Sequence, residues 1–297
     1  MKLLVAGSRG QLGSKVIELA HSQPGLEVTA LDHRALDVTR EEDVHRVVGK
    51  AQPDWIINCT AYNDVEKAES EYVPSYLLND IAVGYLADAA LAGGARLLHV
   101  STDYVFSGDF GDSPPRPYRE SDPPAPRSAY GKSKLAGEKR LAEHTVRSTV
   151  LRTSWLYGGP GKNFLSTMIT VGEKAQKAGR PVKVVSDQES SPTDAWSLAA
   201  QIFRLLSEEV SGLFHASCVG GVSRFDFVSA IYEVAGMDVP LEPANLADFP
   251  AKASRPHYSV LENKRLEDLG LNVMPPWKDG LERAWENIQA RRREAGE

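Results

Sequence analysis

The feature that most constrains this chain is a glycine-spaced turn set between an apolar run and an amphipathic one. Lys2–Ala6 is apolar and strand-like, and Gly7, Gly10 and Gly13 give the spacing G-x-x-G-x-x-G. Leu12, Val16, Leu19 and Ala20 then recur at helical period from Gln11 to about His21. A strand that turns tightly into a helix presents the first helical amides at the turn, and those amides with the helix dipole suit a pyrophosphate. Gly7, Arg9, Gly10, Gln11, Leu12 and Gly13 are therefore the candidate cofactor loop. Alone the spacing is a weak signal, equally compatible with a ligand-free turn; a strand before it and a helix after it give it weight.

The same alternation continues. Leu26–Leu31 reads as a strand ending at Asp32, Glu41–Val48 as a helix, Trp55–Asn58 as a strand, Val73–Ala92 as a long helix and Leu97–Ser101 as a strand. A helix near Tyr130 and a strand at Thr149–Thr153 follow. Continuously apolar strands joined by helices predict a parallel sheet covered on both faces. The expected fold is α/β: a Rossmann-type doubly wound parallel sheet with a smaller C-terminal substrate-binding lobe. Residues 1–155 form the expected dinucleotide-binding domain, which contains the candidate Tyr/Lys pair, and 156–297 mainly the lobe, interleaved with the sheet edge. In the second part, helices are expected at Phe164–Lys177, Asp194–Ser207, Arg224–Val234 and Trp277–Arg291, and strands at Val182–Val185 and Leu213–Ala216. Six prolines between Pro114 and Pro126 exclude helix and central strand there, leaving a surface loop that either closes over a ligand or merely connects.

Composition excludes several function classes. The net charge of −6 and the lack of a long Lys/Arg run argue against nucleic acid; Arg291, Arg292 and Arg293 are followed by Glu294 and Glu297, which reads as a solvated helix end. No stretch approaches the ~18 consecutive apolar residues of a membrane span, and Met1 leads into a strand pattern rather than a leader, so a cytoplasmic location is expected. The two cysteines, Cys59 and Cys218, lie in apolar runs and read as buried thiols.

Asp32, at the end of the second strand pattern, is placed to accept from an adenosine ribose, which suits NADH. Arg9, His33 and Arg34 lie close in sequence and suit the 2′-phosphate of NADPH. The balance leans to NADPH, and NADH stays open. Asp37 and Val38 are weaker candidates for the adenine edge.

Tyr130 and Lys134 form Y-x-x-x-K, and one helical turn stacks them on one face. A lysine ammonium beside a phenol favours its phenolate, so the pair suits proton donation to a carbonyl oxygen as hydride reaches carbon. Ser101-Thr102-Asp103 ends a strand about 28 residues upstream, at the sheet edge where ligands of such folds bind. A hydroxyl there is placed to bond the same carbonyl. Gly131-Lys132-Ser133 lacks the glycine a P-loop needs five residues earlier, where Pro126 stands, and His99 and His215 read as packed strand residues rather than metal ligands.

With Gly7–Gly13, four further blocks carry a family resemblance: Asn58–Glu69 (NCTAYNDVEKAE), Ser101–Phe106 (STDYVF), Tyr130–Glu138 (YGKSKLAGE) and Leu151–Tyr157 (LRTSWLY), continuing through Asn163-Phe164, Asp187-Gln188, Pro192-Thr193 and Arg255-Pro256. Together they resemble the dTDP-4-dehydrorhamnose reductases, which are extended short-chain dehydrogenases/reductases. The resemblance implies reduction of the C4 keto group of dTDP-4-dehydro-L-rhamnose to dTDP-L-rhamnose with NADPH or NADH. It implies Tyr130 as proton donor, Lys134 as the group positioning cofactor and tyrosine, and Thr102 and Asp103 as substrate contacts. Trp155 is implied to pack against the sugar, and Ala61, Tyr62 and Asn63 to border the cofactor. Asn163 and Arg255 are candidates for the nucleotide or diphosphate, with capping or surface roles as the alternative. Some members are metal-linked dimers through an acidic residue early in the first helix; here that position is Lys15, so no metal is expected. Monomer and homodimer both stay open. The rival functions are a reductase or epimerase of another nucleotide-linked deoxy-ketosugar, and an NADP-binding regulatory subunit similar to that of methionine adenosyltransferase.

Overall fold

Six strands build the central sheet of the computed structural model: β1 (Lys2–Ala6), β2 (Glu27–Leu31), β3 (Trp55–Asn58), β4 (Arg96–Thr102), β5 (Ser148–Thr153) and β6 (Gly212–His215). Their spatial order is β2-β1-β3-β4-β5-β6, and every neighbouring pair is parallel. The structure describes residues 1–295; Glu297 of the expected charged tail lies outside the described residues.

The strands are apolar on both faces because both faces are covered. Leu3, Val5, Ile57, Leu98, Leu151 and Phe214 point into one core with α1 (Gln11–His21) and a later helix at Ala195–Ser207. Leu4, Ala6, Ile56, Leu97 and Val150 point into the other, with α2 (Glu41–Ala51) and α3 (Ala82–Gly93). Alternate residues of each strand thus serve opposite layers, as strand geometry requires.

The helix expected at Val73–Ala92 is a continuous helical run with a π turn at Leu77–Ile81 between Tyr72–Tyr76 and α3. That extra residue turns Asn79 fully inward, where its amide accepts from the backbone N–H of Tyr62 and donates to the Tyr62 carbonyl and the Ser133 hydroxyl. Ser133 lies on α4 (Ala129–Glu143), whose N-cap Ser128 accepts from the Gly131 amide.

After Trp155 the chain builds a third core from Tyr157, Leu165, Ile169, Phe227, Ile231 and Leu281, carried by α5 (Phe164–Ala178), α7 (Arg224–Val234) and α8 (Trp277–Ala295). It also returns to the sheet: α6 (Ala195–Ser207) lies against α1, and β6 completes the edge beside β5. The expected strand Val182–Val185 pairs with Leu241–Ala244, which escaped the sequence reading because so short a strand carries no period. On α8, Arg292 stays partly exposed, as a solvated helix end would, and pairs with Glu173 at 3.1 Å.

The proline-rich segment is pinned. Tyr118 bridges to Leu261 and stacks on Phe106 with ring centroids 4.1 Å apart, Arg116 pairs with Asp122, and the Ala125 amide donates to the Val105 carbonyl. These ties favour a connector between the sheet and the second part of the chain.

Candidate active site

The carboxyl ends of β1, β3, β4 and β5 open into one cleft of about 360 Å³. It lies where the strand order reverses between β1 and β3, the expected ligand crevice of an open parallel sheet. Gly10, Gln11, Leu12, Ala61, Asn63, Thr102, Asp103, Tyr130, Lys134 and Trp155 all line it. Residues as far apart in sequence as Gly10 and Leu156 converge there.

The glycine loop is shaped for an anion. Gly7 has φ +80°, and a Cβ on Gly13 would stand 2.3 Å from the Gly7 carbonyl oxygen, so neither tolerates a side chain. Gly10 is the N-cap of α1 and supplies no side-chain cap, which leaves the first helical amides for a ligand. The Gln11 Oε1 is buried with no hydrogen-bond partner among the described residues, and Gln11 lines the cleft. These features fit the pyrophosphate of a dinucleotide. At the loop's outer side Arg9 pairs with Asp32 at 3.1 Å, and Asp32 also accepts from the amides of Arg34 and Ala35. Those backbone hydrogen bonds, with Arg9 and His33, hold the Asp32 carboxyl below the usual range.

Asp37 and Val38 are not brought to the cleft. The Asp37 carboxylate accepts from the amide and hydroxyl of Thr39 in its own turn, and Val38 is buried in the core. Tyr62 turns its hydroxyl to Glu71, which pushes the phenol up to about 12, while its neighbours Ala61 and Asn63 line the wall.

Tyr130 and Lys134 meet the cleft from one face of α4, but their chemistry differs from the simple pairing that the sequence suggests. Desolvation raises the Tyr130 phenol well above its ordinary value, opposed by the Thr102 hydroxyl and reinforced by Asp103 and Tyr104. Lys134 is buried, donating to the Val100 carbonyl at 2.6 Å with its Nζ 3.3 Å from His99 Nε2. Burial pushes Lys134 down to about 8.

Thr102 and Asp103 are coupled. The Thr102 hydroxyl donates to Asp103 Oδ1 at 3.1 Å and accepts from the Tyr104 amide. Asp103 Oδ2 accepts from Ser259 at 2.6 Å and Ser190 at 3.2 Å, two residues of the second part of the chain. Asp103 therefore borders the cleft while stitching the two parts together; burial raises its pKa and the hydroxyls pull it back.

Trp155 adopts φ +41°, a sparsely populated conformation for a bulky residue, and its indole lies under the Arg224 guanidinium at 4.1 Å. Arg224 also covers Phe164, and its Nε donates to Gln188; its other guanidinium nitrogens make no hydrogen bond among the described residues. Desolvation lowers Arg224 to about 10, against the pull of Tyr104 and Asp103. Sequence reasoning missed it; the only trace is the Ser223 N-cap that sets residue 224 at a helix start. Asn163 is not brought to the cleft, because its side chain caps α5 and donates to the carbonyls of Gly159 and Gly161. Arg255 lies outside the lining as well, paired with Glu66 at 2.7 Å, though its charge reaches Arg224 and Tyr104. Lys15 is buried within the chain, paired with Glu18 and 5.6 Å from the Trp196 ring centroid.

A parallel sheet with a glycine-rich first turn, and a Thr, Tyr and Lys gathered at the crevice, define a nicotinamide-dependent oxidoreductase of the extended short-chain type. The model of the RmlD substrate binding domain matches residues 1–290. A dTDP-4-dehydrorhamnose reductase of Mycobacterium tuberculosis is 39% identical over 283 residues, 94% of this chain and 91% of that protein. The crystal structure of a dTDP-4-dehydrorhamnose reductase from Clostridium acetobutylicum superposes with TM-score 0.92 at 36% identity, covering 97% of this chain and 100% of that one. Another from Bacillus anthracis, in complex with NADP, superposes with TM-score 0.89 at 37% identity over 96% and 99% of the two chains. The chain belongs to the dTDP-4-dehydrorhamnose reductase family. No helix among the described residues is long and apolar enough to cross a membrane.

Proposed function

We propose that this protein reduces the C4 keto group of dTDP-4-dehydro-L-rhamnose to give dTDP-L-rhamnose, using NADPH in preference to NADH. The observation that carries the reading is the single cleft joining the uncapped start of α1 to Thr102, Tyr130 and Lys134. The first amides of α1 hold the pyrophosphate, and Arg9 beside Asp32 is the cation for a 2′-phosphate. The bound dinucleotide supplies the hydride. Tyr130, its phenol kept protonated by burial, gives its proton to the substrate oxygen, and Thr102 orients that oxygen. Trp155 forms a wall for the sugar, and Arg224, with Arg255 behind it, offers guanidinium donors to the diphosphate. In this division of labour residues 1–155 hold the dinucleotide, and the core around Phe227 presents the nucleotide sugar. Monomer and homodimer serve this chemistry equally, and a soluble substrate and cofactor place it in the cytoplasm.

The test follows absorbance at 340 nm with NADPH, then NADH, in the presence of the dTDP-linked 4-keto-6-deoxy sugar. Oxidation faster with NADPH and yielding dTDP-L-rhamnose is the expected result. NADPH binding without oxidation overturns this substrate and moves the assignment to another deoxy-ketosugar or to a regulatory nucleotide-binding role.

A further inference from the structure

Beneath Lys134 lies a buried side-chain chain that no part of the reading above uses. Asn58 ends β3, His99 is its register partner on β4, and both are buried with Lys134. The hydrogen bonds fix every proton in it. The Thr60 amide can only donate, and it donates to Asn58 Oδ1 at 3.0 Å, as does the Thr60 hydroxyl at 2.6 Å. The Asn58 NH2 group therefore faces His99 Nδ1, 3.1 Å away, and must donate to it. The neutral imidazole then carries its proton on Nε2, which lies 3.3 Å from Lys134 Nζ.

An ammonium has three protons and no lone pair, so it would meet the Nε2–H donor against donor. A neutral amine fits: one N–H donates to the Val100 carbonyl, the lone pair accepts from Nε2–H, and one N–H is left toward the cleft. Protonating the ring instead would leave Nδ1–H against the Asn58 NH2. We propose that His99, its ring fixed by Asn58, is a positioning residue that favours the neutral-amine form of Lys134 over its ammonium in the ligand-free cleft.

The surrounding groups are consistent with that state. Glu138, one turn on along α4, is the carboxylate whose charge acts on Lys134, and the buried Arg152 of β5 neutralises it through a hydrogen bond of 2.6 Å. Burial pushes the Cys59 thiol, beyond β3, up to about 12, so it is uncharged, and the Tyr130 phenol is protonated. Desolvation of Lys134 acts in the same direction as the histidine. Functionally, the ammonium is made only by taking up a proton. When Tyr130 has given its proton to substrate oxygen, a proton passing from Nζ to the phenolate leaves the amine that His99 accommodates. The importance of this state rests on the reductase reading.

The test uses ligand-free protein, so it stands apart from the turnover assay. Imidazole 15N shifts, with His99 identified through His99→Gln, are expected to show Nδ1 as acceptor and Nε2 protonated. With lysine labelled at Cε and Nζ, and Lys134 identified through Lys134→Arg, its titration is expected well below that of the other lysines. Asn58→Asp keeps the acceptor for Thr60 but accepts from Nδ1–H, which turns Nε2 into a lone pair facing Nζ. That variant is expected to raise the Lys134 midpoint by about one pH unit or more, a tenfold change in proton affinity. In a His99→Phe background the same substitution is expected to give less than half that shift. An Nδ1-protonated ring in the parent, an ordinary Lys134 titration, or equal shifts in both backgrounds would each overturn the proposal.

Discussion

Tyr130 and Lys134 share a helix face, and desolvation drives their pKa values in opposite directions because it disfavours charge on both. The phenol goes up and the lysine comes down to about 8. The phenol is thus the protonated acid throughout the neutral range, and the ammonium disappears as pH rises past about 8. The kcat/KM of reduction is accordingly expected to fall on the alkaline side of that value. Tyr130→Phe is expected to lower kcat by about 10²- to 10⁴-fold while leaving NADPH affinity, followed by fluorescence titration, nearly unchanged; activity within a few-fold of the parent contradicts the assignment. Arg224→Ala removes the guanidinium over Trp155. It is expected to raise the KM for the nucleotide sugar by about 10- to 100-fold, the worth of one or two charge-assisted hydrogen bonds, with NADPH affinity untouched. Tyr130, Lys134 and Thr102 were legible because spacing along a helix and position at a strand end survive as sequence patterns. Arg224 and the inward role of His99 were not, since partners distant in sequence leave no period.

Among the elements, the first turn and the π turn show what patterns convey and what they omit. Leu12 and Val16 mark α1 by periodicity, and the glycines mark the turn because side chains there would strike backbone. Gly13→Ala places a Cβ 2.3 Å from the Gly7 carbonyl oxygen, a contact that only backbone movement relieves. The expected cost is about 1–3 kcal/mol of stability, read as a lowered urea midpoint, with weaker NADPH binding because the same movement displaces the α1 amides. A variant with parental stability and affinity would show the loop to be looser than its geometry. The π turn was hidden for a different reason. Apolar periodicity from Val73 to Ala92 is that of a helix whether or not one residue is inserted, and only a polar Asn79 in the buried stripe hints that its amide has partners elsewhere. Asn163 illustrates the converse: a polar residue beside an aromatic helix start looks like a ligand, yet the helix end itself consumes its amide.

At the scale of the whole molecule, the sheet holds a second buried histidine whose proton links the proline-rich segment, β6 and the chain near Glu262. The Tyr118 and Glu262 carbonyls lie 3.1 and 3.2 Å from His215 Nδ1, so that nitrogen carries the proton. Nε2 is buried with no hydrogen-bond partner among the described residues, and desolvation, with the Arg152 charge, pushes the ring down to about 3. His99 is likewise pushed well below its ordinary value, by burial and by Lys134. A histidine whose folded pKa is depressed binds fewer protons folded than unfolded. Its stabilising contribution is complete above the unfolded value near ~6.5 and is lost as pH falls from there toward the folded value. Each such ring steepens the decline by about 1.4 kcal/mol per pH unit across that window. The free energy of urea unfolding is therefore expected to drop steeply between pH 6.5 and pH 5, before most carboxylates titrate. His215→Gln keeps an N–H for the two carbonyls but has no basic nitrogen, so it is expected to be less stable at pH 7.5 and to lose stability more slowly on acidification. The crossing of the two slopes is the decisive observation. Parallel pH profiles for parent and variant would mean that the ring at 215 takes up its proton while folded, and that the contact between the proline-rich segment and the sheet edge opens to admit it.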